Sequence, residues 1–126
     1  MTLMFVLTGC PGNVENVVID NGDSKLYTTE EIDDVVDLVK DEFKTLDGCT
    51  LYTLSYAGDE WSEMEKDYRN SGQEETKYVS CIVLNSSFCS PRNGGGGWNA
   101  ATEYTWNWII GKEPAGEWKL LGYGYG

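Results

Sequence analysis

Apolar and polar positions alternate along this chain with two periods. From Thr29 to Leu46, the residues Ile32, Val35, Val36, Val39, Phe43 and Leu46 recur every three or four positions, while Asp33, Asp34, Asp37, Asp41 and Glu42 fill the gaps. That spacing places the apolar set on one stripe of a helix. Thr28 followed by Glu31 is the spacing of a capping box, Tyr27 and Ile32 are placed to staple the first turn, and Asp47-Gly48 supplies the stop. A second, shorter helix is predicted over Glu60–Asn70, with Asp59 as its cap and Trp61, Met64 and Tyr68 on its apolar stripe.

Between and after the helices the period shortens to two. Cys49–Tyr56 is rich in β-branched and aromatic residues, but both of its faces carry large side chains: Cys49, Leu51, Thr53 and Ser55 against Thr50, Tyr52, Leu54 and Tyr56. Further strands are predicted over Lys77–Phe88, Thr102–Ile110 and Glu117–Tyr125. In the third of these four, Tyr104, Trp106, Trp108 and Ile110 share a face; in the last, Trp118 and Leu120 oppose Lys119, Leu121 and Tyr123. Gly111–Gly116 joins the last two as a hairpin. The pattern predicts an α+β domain, with the long N-terminal helix packed on an antiparallel sheet.

Segment 90–100 contains four consecutive glycines, Gly94–Gly97. A phosphate loop would need Lys-Ser or Lys-Thr after them, whereas Trp98-Asn99 follows, so the segment reads as a flexible excursion between strands. Asp20, Asn21, Gly22 and Asp23 run together, but they lack the frame and terminal Glu of a calcium loop. The chain has no histidine and no Cys-x-x-Cys pair, so its motifs call for neither a metal nor another cofactor.

Charge narrows the partners. Nine Lys and Arg face 21 Asp and Glu, a formal charge of −12, which argues against nucleic acid and against adhesion to an anionic lipid surface. Any membrane attachment must then come from a lipid. The beginning of the chain suggests one: Leu7-Thr8-Gly9-Cys10 follows the apolar stretch Leu3–Val6, too short to span a bilayer. This resembles the tail of a bacterial lipoprotein signal, cleaved before Cys10, with the acyl chains on that cysteine. Residues 1–9 contain no Lys or Arg, unlike the charged start of a secretory signal. The resemblance implies a lipid anchor at Cys10 on the extracytoplasmic face of the cell membrane, with residues 10–25 as a polar tether and 26–126 as one domain. If the anchor takes Cys10, Cys49, Cys81 and Cys89 remain, and Cys81 with Cys89 could close a disulfide if the chain reverses between them.

Short phrases carry a wider resemblance: Tyr27-Thr28-Thr29-Glu30-Glu31-Ile32, Gly48-Cys49-Thr50-Leu51, Val83–Phe88, Thr105–Ile109 and Trp118–Gly124. Together they resemble a family of small lipoproteins of anaerobic Gram-positive bacteria, built on a domain of unknown function. That family is similar to the broader NTF2-like (cystatin-like) group, so the resemblance implies a cone of curved antiparallel sheet around the long helix. It implies no catalytic residues, and the fold hosts binding modules and isomerases alike.

Five tryptophans and eight tyrosines are many for one small domain. Trp98, Tyr52, Tyr56, Trp61, Trp106 and Trp108 are candidate contacts for a small ligand or an envelope protein, Trp98 because it follows the glycines on a loop. The competing role for Trp106, Trp108 and Trp118 is to fill the core. An isomerase-like scheme would need Glu103, Tyr104, Tyr52 or Tyr56 to converge, but Glu103 and Tyr104 alternate across a strand. The sequence therefore predicts a binding domain, with an accessory envelope protein lacking a ligand as the alternative and an isomerase-like enzyme third.

Overall fold

The computed structural model describes residues 12–72 and 77–125. Cys10 and residues 1–9 lie outside this range. Five strands form one sheet in chain order: β1 (Val18–Asp20), β2 (Thr50–Tyr56), β3 (Ser80–Cys89), β4 (Glu103–Lys112) and β5 (Trp118–Gly124). β1 runs parallel to β2, and every other neighbouring pair is antiparallel. The parallel pair needs a crossover, which is supplied by helix α1 (Thr29–Phe43). Helix α2 (Asp59–Asn70) connects β2 to β3.

α1 forms for the reasons its sequence gives. The Thr28 side chain accepts from the Glu31 backbone N–H at 3.1 Å, and the Glu31 carboxylate accepts from the Thr28 N–H at 2.9 Å. Ile32, Val35, Val36, Val39 and Phe43 are buried. They pack against Leu51, Leu54, Ile82, Leu84, Phe88, Trp108 and Ile110, the inward residues of the three central strands.

The NTF2-like cone is overturned. The sheet is mixed rather than wholly antiparallel, and the helices are only 15 and 12 residues long. Strand alternation also puts the helices on opposite faces: Ile82 and Leu84 meet the α1 core, while Val83 and Asn85 share a depression with Trp61 of α2. What survives is the broad α+β class.

The expected tether is part of the fold from Gly12 onward. Gly12 donates to the Lys44 carbonyl at 3.0 Å, Asn13 to the Cys49 carbonyl at 2.8 Å, and the Leu51 N–H returns a bond to Asn13 at 2.9 Å. Val14 and Val17 pack on the core, and Val18–Asp20 forms the edge strand. Backbone pairing, available to any sequence, drew this polar segment in.

Two register shifts correct the strand faces. A bulge between Leu51 and Thr53 turns both Leu51 and Leu54 inward, although a regular strand would send them to opposite sides. A second irregularity opposite Ile109 and Ile110 puts Tyr123 on the same side as Leu120, where its ring stacks 5.2 Å from Trp106 and lies 4.8 Å from Trp108.

The stripe of α2 points the wrong way for a core helix. Trp61, Met64 and Tyr68 are 60%, 55% and 73% exposed, and the helix buries only Ser62. Polar bonds hold it instead. Ser62 Oγ accepts from the Val83 N–H at 3.1 Å, and the Asn70 amide pairs with both backbone groups of Tyr78 at 2.9 Å. Gly58, not Asp59, is the N-cap.

Candidate functional site

The face of the sheet away from α1 is tiled by neutral polar side chains. Ser55, Asn85 and Asn107 stand abreast on β2, β3 and β4, and Thr53, Ser87 and Thr105 form the next row. Neighbours in a row are about 5 Å apart, which is the strand spacing. The Thr53 and Ser87 hydroxyls are bonded to each other at 2.7 Å. α2 overhangs one end of this tiling, and the exposed indole of Trp61 helps to wall a trough of about 540 Å³ above it. A smaller depression of about 360 Å³ continues past Trp61 toward Tyr123 and Tyr125.

Among the described residues, no ionisable group lines the trough. Its lining is Thr, Ser, Asn, Ala, Val and Trp, so it has hydrogen-bond donors and acceptors but no general acid or base. The Glu65–Arg69 ion pair, 3.0 Å long, borders the adjoining depression. Glu103 is exposed and shares the polar face with Cys89, while Tyr104 turns to the other face and stacks on Phe88 at 5.5 Å, so the carboxylate and phenol do not converge.

Two of the aromatic candidates, Trp61 and Trp106, line the trough, and of these Trp61 has the exposed ring while Trp106 is half-buried. Tyr52 is exposed near Cys89, toward the far end of the sheet. Tyr56 donates to the Asp59 carboxylate at 2.6 Å, and burial together with that carboxylate pushes its phenol up to about 12. Trp108 is fully buried, its indole N–H bonded to Ser86 Oγ at 2.8 Å, so it contacts no ligand. Trp98 and Trp106 are half-buried in a cluster with Phe88 and Tyr104 on the α1 side. Trp98 is therefore not the freely exposed ring expected of it.

The glycine run is not a loose excursion. All four residues, Gly94–Gly97, have positive φ, a path that L side chains rarely follow. The turn is closed by paired bonds between Gly95 and Trp98, at 2.9 and 3.2 Å.

Asp59, at the start of α2, gathers the Ser24 hydroxyl at 2.6 Å, the Tyr56 hydroxyl at 2.6 Å and the Lys25 N–H at 2.9 Å. The Ser24 bond first, then the Tyr56 bond, hold its carboxyl below the ordinary carboxylate value. Cys81 and Cys89 cannot pair: they occupy opposite ends of one strand, eight residues or about 26 Å apart. Cys49, Cys81 and Cys89 are free thiols. In the 20–23 segment, the Asp20 carboxylate is occupied by a turn bond from the Gly22 N–H at 2.9 Å. Among the described residues, no group of three or more Cys, Asp or Glu is placed to hold a metal, and no helix is long and apolar enough to cross a membrane.

Sequence reasoning missed the trough's floor. Neither Asn85 nor Asn107 was singled out from the sequence; the available signal was an asparagine in the middle of each of two strands, where that residue is disfavoured. No protein-family model, curated protein or solved structure matches this chain.

Proposed function

We propose that this chain is a binding domain, held to the extracytoplasmic face of the membrane by acyl chains on Cys10, that takes a neutral polyhydroxylated ligand such as an oligosaccharide into the Trp61 trough. One observation carries the ligand reading: two rows of hydroxyl and amide groups lie under an exposed indole, with no charged side chain among the described residues that line the trough. Side chains that both donate and accept suit a ligand whose hydroxyls do the same. A flat indole suits the apolar face of a sugar ring, and the exposed Trp61 would lose unfavourable contact with water on covering it. The lipid anchor is supported separately, by the Leu7–Cys10 motif.

Titration of the labelled protein with neutral oligosaccharides, followed by NMR, tests the ligand reading. The expected result is shifts confined to the Trp61 indole and the Asn85 and Asn107 side-chain amides, with Trp61→Ala weakening binding at least roughly tenfold, the loss of one aromatic contact. Shifts elsewhere, or none across a panel of such sugars, would leave the domain as an accessory envelope protein without this ligand.

A further inference from the structure

The place where the chain joins the fold fixes which end of the domain would meet a membrane. Only Pro11 separates Cys10 from Gly12, so the Cα atoms of Cys10 and Gly12 are at most about 7 Å apart. Gly12 is immobilised against the end of α1. Its N–H donates to the Lys44 carbonyl, and a Cβ added to it would strike the Phe43 carbonyl oxygen and come within 3.1 Å of the Leu46 carbonyl. There is no slack for a tether.

Beside this point lies a depression of about 440 Å³ lined by Leu46, Pro91, Gly94, Gly95, Gly96 and Trp98, with Asp47 on its rim. Resting on the anchor reading above, we propose that this end is the membrane-contact surface of the anchored domain, with the Trp98 turn lying at the lipid headgroup level. The occupant is the lipid interface itself. Tryptophan favours that interface, and the turn's glycines let backbone approach it closely. The patch is of mixed charge: the exposed Arg92 follows Pro91 in the chain, Lys44 is paired with Asp41 at 3.4 Å, and Asp47 lines the depression, which suits a zwitterionic headgroup rather than an anionic one. β2 leads away from this end, from Thr50 to Thr53 at the near edge of the trough, a rise of about 10 Å, and on to Ala57 at its far wall, about 23 Å. Docking at the Trp98 end therefore keeps the Ala57 end of the trough, which Trp61 also lines, far from the bilayer.

The test uses the full chain expressed in a Gram-positive host and recovered from its membranes. Intact mass first decides acylation at Cys10. The acylated protein is then placed in vesicles of phosphatidylcholine with brominated acyl chains, which quench nearby indoles. Quenching should fall most with Trp98→Phe, the remainder coming from Trp106 at 5.8 Å, and should be retained by Trp61→Phe. Because Trp98 packs on Phe88, a second readout avoids disturbing it: in a Cys89→Ser background, an environment-sensitive fluorophore at Asn93→Cys should shift to the blue on vesicles, and one at Asp67→Cys should not. Acylated protein with no quenching and no shift at Asn93 overturns the docking surface and leaves the anchor standing. Protein lacking the acyl mass overturns the anchor reading, and the docking surface falls with it.

Discussion

The Tyr27 hydroxyl takes the place of a neighbouring strand at Cys81: it accepts from the Cys81 N–H at 3.0 Å and donates to the Cys81 carbonyl at 2.9 Å. β2 stops at Tyr56, opposite Leu84, so the first residues of β3 have no strand on that side. Side chains complete the edge. Tyr27 serves Cys81, Ser62 serves the Val83 N–H, and Asn70 serves both backbone groups of Tyr78. The segment leading into α1 and the helix α2 are thereby fastened to the start of β3 and the residues before it, through backbone groups that would otherwise lack a partner.

Tyr27→Phe should cost about 2 kcal/mol, because it strips two buried backbone groups of their partner while keeping the ring. Urea unfolding measures the loss, and faster amide exchange at Cys81 locates it. Burial raises the Tyr27 phenol above its ordinary 10.0. The fold favours the neutral phenol, so this contribution is complete below pH 10 and is lost as pH rises through the folded value. The same sign holds for Tyr56 and for the two buried thiols, so stability should decline once pH passes 9, and Tyr27→Phe should flatten that decline.

Asp59→Asn should destabilise by about 1 kcal/mol, the worth of partly exposed hydrogen bonds to a charged carboxylate. Its pKa is lowered in the fold from an ordinary 3.8. The stabilisation is therefore present above pH 3.8 and is lost as pH falls through the lower folded value. Unfolding curves of the two proteins should be separated at pH 6 and converge in acid. A constant separation down to the lowest pH would show that the carboxylate's charge is not what matters.

Gly12→Ala separates a fixed segment from a tether. In the structure its methyl group meets backbone oxygens that cannot swing aside, so a loss of about 2 kcal/mol is expected. A tether residue would tolerate the change. Urea unfolding of the two proteins decides.

The thiols should differ in reactivity. Burial pushes Cys49 up to about 11 and Cys81 up to about 12, and both are inaccessible, whereas Cys89 is half-buried. Brief alkylation of the native protein at pH 8, mapped by peptide mass, should mark Cys89 and spare Cys49 and Cys81 until denaturant is added. A Cys81–Cys89 bridge recovered from folded protein would contradict the single-strand placement of both.

Elements whose cause lies within a few residues were legible in the sequence. The capping box at Thr28 and Glu31, the apolar stripe from Ile32 to Phe43 and the shared face of Tyr104, Trp106, Trp108 and Ile110 depend on local spacing, which the chain displays directly; α1 nevertheless ends at Phe43 with Lys44 as its C-cap, ahead of the stop expected at Asp47-Gly48. α2 shows where that reasoning fails. The spacing of Trp61, Met64 and Tyr68 identified one face of a helix but not what the face would meet, and Ser62 and Asn70 anchored the opposite side. A hydrophobic stripe orients a helix only when no set of polar bonds to buried backbone outweighs it.

By itself, the sequence determined a small acidic α+β domain, the cap and inner face of α1, and which β4 residues share a face. Only the tertiary structure decided that Asn13 and Val18–Asp20 pair with β2, that α2 shows its aromatic residues to solvent, and that Asn85 and Asn107 stand side by side under Trp61. The division follows from range: capping and periodicity act over three or four residues. Strand pairing and register act between backbone groups tens of residues apart, and backbone groups are the same in every sequence.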